Sequence, residues 1–251
     1  MTSSLRVAVT GASGRMGQTV CAAVEAAPDL ELVARIDEDG SVADAVRAGA
    51  EVVIDFTRPD VSPDLVRQAV SAGLHCVVGT SGYDQARLAA VSEWLGERPD
   101  VGVVVAPNFA VGAVLLLRFA QQAARHFESV EIVEMHHPDK VDAPSGTAVA
   151  TAEGIARVRE SAGLGPVPDA TTTALPGARG ADVQGIPVHA VRLRGLTAHE
   201  VVLFGGPGET LSLRHDSYDR QSFMPGVLLA VRSVANRPGL TVGLDALLDP
   251  A

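Results

Sequence analysis

The feature that most constrains the fold of this chain is a short apolar run that leads into three evenly spaced glycines. The run 5–10 has the composition of a buried strand, and Gly11, Gly14 and Gly17 follow it at the start of a helical pattern over 15–26. Glycines here allow a tight turn, let a phosphate approach the backbone, and let strand and helix pack closely. The helix start also offers unpaired N–H groups and a positive dipole end. The segment predicts a phosphate-binding strand–loop–helix unit.

Apolar runs alternate with helical patterns through the first hundred residues. Strands that are buried on both faces between helices form a parallel doubly wound sheet. We therefore expect residues 1–109 to form an α/β dinucleotide-binding domain. Further strands are predicted at 30–36, 52–56, 75–80 and 101–106, and further helices at 61–73 and about 84–95.

The order of elements changes after Asn108. Consecutive strands without intervening helices indicate an antiparallel or mixed open sheet, so we expect a second domain of the α+β class over 110–217. Its predicted elements are a helix at 110–127, a strand at 130–135, a helix at 145–160, a loop at 163–187, and strands at 186–193, 199–205 and 209–215, before a last helix at 220–236 and a short tail.

Composition limits the partners and the compartment. The net charge of −10 argues against nucleic acid or an anionic membrane as the main partner. No apolar stretch behind a basic start resembles a signal peptide, and no segment reaches the roughly 18 apolar residues of a membrane span. We expect a cytoplasmic protein in which Cys21 and Cys76 are buried free thiols.

Asp37 and two strand ends complete the expected cofactor site. Asp37 lies 20 positions after Gly17 (37 − 17), close to where an acid binds ribose hydroxyls. The other interpretation is a carboxylate in a short acidic loop. Asp37 favours NADH, whereas Arg15 and Arg35 could accept the 2′-phosphate of NADPH, so NADH or NADPH is expected. The strand ends at Gly79–Gly82 and Ala106–Phe109 offer backbone groups where ligands bind in such sheets.

The segment 131–150 carries the side chains that are best suited to acid–base chemistry. His136, His137 and Lys140 precede a predicted helix start at Ser145-Gly146-Thr147, and Lys140 is the only lysine among 20 basic residues. Cations before a helix N-terminus can bind an anion and protonate it. Asp142 or Ser145 could instead cap that helix. Adjacent histidines on a strand point to opposite faces, and no ligand spacing accompanies them, so no metal site is expected.

Several segments together resemble one family. Glu131 to Ala148 matches every specified position of the signature E-[IV]-x-E-x-H-x-x-x-K-x-D-x-P-S-G-T-A, which is that of dihydrodipicolinate reductases. The segments VTGASGRMG, VVIDFT, GTSG, APNFAVGAV, LPGARGADVQGIPVHAVRL and RHDSYDRQSFMPGVLLAVR are also similar to segments of that family, and Ser81 stands where its members commonly have threonine. The resemblance spans nearly the whole chain.

The resemblance implies a Rossmann-like domain, rejoined by residues 218–251, and a second domain for substrate binding and tetramerisation. It implies NAD(P)H-dependent reduction of a cyclic hydroxy-dicarboxylate with loss of water, in lysine and diaminopimelate biosynthesis. His136 would be the acid/base group and Lys140 the proton donor, while His137, Gly146 and Thr147 would bind the substrate. Cofactor contacts would come from Gly11, Ala12, Ser13, Gly14, Arg15, Met16, Asp37, Gly79, Thr80, Ser81, Ala106, Pro107, Asn108 and Phe109.

Other nicotinamide-dependent classes lack support in the sequence. Short-chain dehydrogenases need a Tyr-x-x-x-Lys pair, but Arg87 and Ser222 stand four positions after Tyr83 and Tyr218. A homoserine or aspartate-semialdehyde type of dehydrogenase could share the two-domain layout; the latter needs a catalytic cysteine, and neither cysteine is placed for it. A non-catalytic NAD(P)H sensor would be expected to have lost part of the His–Lys–helix constellation, which is intact here.

Overall fold

The computed structural model describes residues 4–249, which form two compact units. The first unit comprises the chain up to Val111 and from Arg220 onward, and the second comprises Gly112–Asp219. Across residues 4–249, no helix has both the length and the apolar character needed to cross a membrane.

The strands and helices are numbered in chain order. The strands are β1 (Leu5–Thr10), β2 (Leu30–Ile36), β3 (Val52–Asp55), β4 (His75–Val78), β5 (Gly102–Val105), β6 (Ser129–His136), β7 (Ala181–Val183), β8 (Ile186–Arg192), β9 (Ala198–Gly206), β10 (Glu209–Ser217) and β11 (Gly239–Val242). The helices are α1 (Arg15–Ala26), α2 (Val42–Arg47), α3 (Ser62–Ser71), α4 (Gln85–Gly96), α5 (Val111–Ala123), α6 (Gly146–Ser161), α7 (Met224–Val234) and α8 (Asp245–Leu248), with a 3₁₀ turn at Arg220–Phe223.

The first unit contains a parallel sheet in the order β11-β5-β4-β3-β1-β2, which confirms the predicted doubly wound α/β class. Strands β3, β4 and β5 are buried along nearly their whole length, as expected for strands covered on both faces. In α1, buried residues recur every three or four positions, from Gly17 through Val20 and Cys21 to Val24. Cys21 and Cys76 are buried free thiols, as predicted.

Three short elements of this unit were not predicted, namely α2, β11 and α8, of which α8 lies in the segment that we expected to be a short tail. Helix α2 has six residues, too few to show a helical period, and it is held by a capping box between Ser41 and Asp44. Strand β11 lies in the segment that we expected to be a short tail, and it pairs in parallel with β5 through Gly239↔Gly102 to Val242↔Val105. Its partner is more than a hundred positions away in the chain, so no local pattern indicates the pairing.

The second unit contains a mixed sheet in the order β10-β9-β6-β8-β7, which confirms the predicted class of open mixed sheet. Strands β6 and β8 are parallel, whereas the other neighbours are antiparallel. One face packs against α6, with Ile132, Val202 and Phe204 of the sheet meeting Ala152 and Ile155 of the helix in one core. This packing holds the N-terminal end of α6 near the end of β6.

The boundaries of this unit correct two predictions. Strand β7 lies within 163–187, which we predicted to be loop throughout; it has only three residues, and two of them are exposed. Because it is so short, its existence depends on antiparallel pairing with β8 rather than on its own composition. Helix α5 ends at Ala123, four residues before the predicted end at 127.

Candidate active site

A buried carboxylate organises the end of β6. The Glu134 side chain is fully buried, and its Oε2 lies 2.6 Å from Nδ1 of His136. Arg192 of β8 donates from Nη1 to Oε2 and from Nη2 to Oε1 of Glu134, both at 2.8 Å. The parallel register places His136 opposite Arg192, two residues beyond Glu134 on the same face. Buried charges require such pairing, so these three side chains form one connected group.

The same carboxylate fixes the start of α6. The backbone N–H of Ser145 donates to Oε1 of Glu134 at 3.0 Å. The Ser145 hydroxyl accepts a bond from the Ala148 N–H at 3.2 Å, so Ser145 is the N-cap of the helix and Asp142 is not. Gly146 is the first helical residue, and a Cβ added there would meet no atom within 4 Å. The helix start is therefore rigidly held, with open space above Gly146.

Lys140 and the helix start already bind a carboxylate of the chain itself. Lys140 Nζ lies 2.7 Å from Asp142 Oδ1. The Lys140 ammonium, with a smaller effect of the Gly146 N–H, holds the pKa of the Asp142 carboxyl below its ordinary range. Asp142 is about half exposed, so its carboxylate can be displaced at little cost in burial. The position is thus suited to the carboxylate of a ligand.

The structure places all five predicted chemical residues at the end of β6, in the connection that follows it or in the first turn of α6. His136 is the last residue of β6, His137 and Lys140 lie in the connection, and Gly146 and Thr147 open α6. The side chain of His137 is exposed, and its carbonyl accepts a bond from the Lys140 N–H at 3.3 Å.

Burial and the neighbouring charges determine the protonation of His136. Burial lowers the pKa of the imidazole, against an opposing effect of Glu134, and the positive charges of Lys140 and Arg192 lower it further. Burial raises the pKa of Glu134, but hydrogen bonds from Arg192 and His136 outweigh it and leave that pKa below its ordinary value. A charged Glu134 favours the N–H on Nδ1 of His136, which leaves Nε2 to exchange a proton with a ligand.

Sequence reasoning gave Glu134 and Arg192 no role. Glu134 stands in the family signature, but its function depends on Arg192, which lies 58 positions later. The one available signal was an acidic residue in the middle of a buried strand, where a charge needs a partner.

In the first unit, the glycine turn has the close packing that its sequence predicted. Gly11 has a φ of +72°, and a Cβ on Gly17 would lie 2.0 Å from the Gly11 carbonyl oxygen. Gly14 is the N-cap of α1; within the described chain, no side chain caps this helix and its first turn holds no acidic residue. The N–H groups at this helix start can therefore bind phosphate oxygens. The predicted residues Ala12, Ser13, Arg15 and Met16 lie in the same turn.

Asp37 joins this turn to the end of β2. Its Oδ1 accepts bonds from the N–H of Ser13 at 2.8 Å and from the Ser13 hydroxyl at 2.9 Å. Asp37 and Arg35 both line a cavity of about 340 Å³ beside α1. Arg35, however, forms an ion pair with Glu25 at 2.5 Å, so its guanidinium is engaged by a carboxylate within the chain.

A second buried carboxylate, which sequence reasoning did not identify, connects the strand ends of the parallel sheet. Asp55 is almost fully buried and accepts hydroxyl bonds from Thr10 (2.9 Å), Thr57 (2.7 Å), Thr80 (2.7 Å) and Ser62. The Thr80 oxygen also accepts from the Thr57 N–H at 2.9 Å, which commits this hydroxyl to internal bonds. A cofactor contact at Thr80 would therefore use the backbone.

The two other predicted strand ends lie next to one another. Gly79 is packed tightly, because a Cβ there would lie 2.1 Å from the ring of Phe56. That ring also contacts Phe109, with centroids 5.8 Å apart, and the side chain of Asn108 accepts a bond from the Ala110 N–H at 2.8 Å. A cavity of about 530 Å³ in this unit is lined by residues that include Thr80, Ser81, Ala106, Pro107 and Val242.

Comparison with known proteins identifies relatives along the whole chain. Residues 5–109 match the family model described as dihydrodipicolinate reductase, N-terminus, and residues 112–248 match dihydrodipicolinate reductase, C-terminus. A 4-hydroxy-tetrahydrodipicolinate reductase of Nocardia farcinica is 60% identical over 246 residues, which cover 98% of this chain and 99% of the relative. The protein of the same name from Corynebacterium diphtheriae is 56% identical over 98% of this chain and 99% of the relative.

Solved structures show the same architecture. A dipicolinate-bound dihydrodipicolinate reductase from Paenisporosarcina sp. aligns with a TM-score of 0.87 and 37% identity, over 98% of this chain and 100% of that one. An apo scyllo-inositol dehydrogenase from Lactobacillus casei aligns with a TM-score of 0.62 at 11% identity, over 98% of this chain and 93% of that one. At that identity, the second likeness concerns the fold alone.

Proposed function

The chain belongs to the dihydrodipicolinate reductase family, and we propose that it reduces 4-hydroxy-tetrahydrodipicolinate to tetrahydrodipicolinate, with loss of water and oxidation of NADH or NADPH, in lysine and diaminopimelate biosynthesis. One observation carries the assignment of the chemistry. Glu134 binds His136, Arg192 and the N-cap of α6 in one buried network, and Lys140 binds a carboxylate near the same helix start.

The proposed binding mode follows from the contacts of Asp142. A substrate carboxylate would replace that side chain between Lys140 and the N–H groups of Gly146 and Thr147, in the open space above Gly146. His137 would turn towards the same anion. The reductase from Paenisporosarcina sp. has dipicolinate bound, and this planar dicarboxylate agrees with a substrate of that class.

The proposed proton transfers use His136 and Lys140. Nδ1 of His136 is held by Glu134, so Nε2 is the nitrogen that exchanges a proton with the substrate. A dianion bound nearby favours the charged imidazole and the charged ammonium, which makes both groups proton donors in the complex. The hydroxyl leaves with one proton as water while the neighbouring ring carbon loses a proton, and after hydride addition a proton returns to that neighbouring carbon, so one proton is consumed overall.

The residues of the glycine turn fit a dinucleotide. The uncapped start of α1 would bind the pyrophosphate, and Asp37 would bind the ribose hydroxyls beside Ser13. The backbone at Gly79–Ser81 and Ala106–Phe109 would contact the remainder of the cofactor. When bound, the reduced nicotinamide supplies the hydride.

The same proposal includes the oligomeric state, the cellular location and the roles of the two parts of the chain. We propose that residues 1–109 with 218–251 bind the cofactor, and that residues 110–217 bind the substrate and form the contacts of a homotetramer. A cytoplasmic location is consistent with a biosynthetic enzyme that uses NAD(P)H. Sedimentation equilibrium would test the tetramer.

A coupled assay with freshly generated substrate tests the proposed reaction. We expect oxidation of NADH and NADPH, followed by absorbance, only when the cyclic substrate is present. Binding of the dinucleotides without substrate-dependent oxidation would instead indicate a sensor of NAD(P)H and would contradict the proposal.

A further inference from the structure

A second buried glutamate lies directly beside the network of Glu134. The antiparallel register of β6 and β9 pairs Glu134 with Glu200, so both side chains lie on the same face of the sheet. Glu200 is 6% exposed and Glu134 is 0% exposed. Directly opposed residues in such a pair have Cβ atoms about 5 Å apart. Two carboxyl groups are therefore buried side by side.

The two carboxyl groups differ in their partners. Glu134 receives bonds from His136, Arg192 and the Ser145 N–H. The hydrogen bonds of the Arg192 guanidinium go to Glu134 and to two backbone carbonyls, and not to Glu200. Over residues 4–249, Glu200 Oε1 is one of only two buried side-chain N or O atoms without a hydrogen-bond partner. The negative charge of the pair is thus stabilised on Glu134 alone.

The remaining neighbours of Glu200 offer little stabilisation to a charged carboxyl. From α6, the Thr151 hydroxyl lowers the pKa of Glu200. The same hydroxyl donates to the Thr147 carbonyl at 3.1 Å, and a hydroxyl has only one proton to donate. On the other side, the register of β10 places His215 opposite Glu200, and burial lowers the pKa of that imidazole. Burial, together with the charge of Glu134, raises the pKa of Glu200 to about 7, against the opposing Thr151 bond.

We propose that Glu200 is a positioning residue whose protonated form supports dicarboxylate binding, and that its ionisation weakens this binding by adding an unpaired negative charge behind Glu134. The inference rests on the proposed substrate site at the start of α6. With Glu200 neutral, the charge of Glu134 is balanced by Arg192, and a dianion meets a net positive surface from Lys140 and the helix start. With Glu200 ionised, the added charge repels the dianion through an interior that screens poorly.

The test measures dipicolinate binding by calorimetry from about pH 6 to about pH 8.5 in the wild type, Glu200→Gln and Glu209→Gln. Glu209 is an exposed glutamate on the adjacent strand β10, so the control removes the same charge from the surface. We expect the affinity of the wild type and of the control to fall about fivefold more across this range than that of Glu200→Gln. Equal pH dependence in all three proteins would overturn the inference.

A second measurement uses only the wild-type protein and so does not depend on whether a variant folds. The carboxyl of Glu200, followed by ¹³C NMR in the wild-type protein, should titrate near neutral pH, and titration in the ordinary range of glutamate would overturn the inference. Failure of the wild type to bind dipicolinate would contradict the substrate site itself. The carboxyl titration would then still decide whether Glu200 holds its proton.

Discussion

Replacing Glu200 with glutamine should stabilise the protein at alkaline pH, although it alters a buried side chain. Burial raises the pKa of Glu200 from its ordinary 4.5 to about 7 in the folded chain. Because the folded state holds this proton more tightly than the unfolded state, the carboxyl contributes its full stability below about pH 4.5 and loses it as the pH rises to about 7. Each pKa unit corresponds to about 1.4 kcal/mol, so the loss amounts to about 3 kcal/mol.

Urea unfolding at a series of pH values measures this loss. The wild type and Glu200→Gln should have similar free energies of unfolding near pH 4.5, where both side chains are neutral, and should differ by about 3 kcal/mol at about pH 8. The surface control Glu209→Gln should follow the wild type. If Glu200→Gln lowered the free energy of unfolding by the same amount at every pH, Glu200 would not change its charge in this range, and the reasoning from its burial would be refuted.

Three further predictions concern the proposed reaction and its cofactor. Lys140→Ala should keep its affinity for NADH, measured by fluorescence titration, but lose about 10²–10⁴-fold in turnover; turnover at the wild-type rate would remove Lys140 from the mechanism. Asp37→Ala should weaken NADH about tenfold and NADPH less, with Ser13→Ala as the control that keeps the carboxylate; an equal loss for both cofactors would contradict the ribose role. Glu25→Gln should release Arg35 from its ion pair and improve NADPH binding a few-fold over NADH, and unchanged binding of both cofactors would show that Arg35 does not reach a 2′-phosphate.

The parallel sheet was predictable because most of its strands are evident in local sequence. Val52–Asp55 and Gly102–Val105 are short strands made almost wholly of apolar residues between helical patterns, and the three glycines after Leu5–Thr10 indicate a tight turn. By contrast, Gly239–Val242 pairs with a strand more than a hundred positions away, so no window of sequence contains its partner. Ala181–Val183 pairs with the next strand across a two-residue turn, but its three residues are too few to show a strand period.

The residues of the candidate site also differ in whether local sequence could identify them. His136, Lys140 and Gly146 could be named from sequence because they fall within a short segment before a helix start. The residues that hold them could not be named from sequence. The role of Glu134 depends on its burial and on its bonds with Arg192, and Glu200 lies beside Glu134 only because of the register of β9 against β6. Sequence therefore revealed the residues expected to touch a ligand better than those that set their charge.

The register of the mixed sheet explains why these supporting residues act as a unit. Side chains two apart on a strand share a face, so a parallel pair that sets His136 opposite Arg192 also brings Glu134 within reach of both. A slip of one residue between β6 and β8 would turn one member of the group to the other face and leave a buried charge unpaired. The cost of that unpaired charge, several kcal/mol, makes the network itself a determinant of strand register. The chemistry of the site and the pairing of its sheet are therefore stabilised by the same contacts.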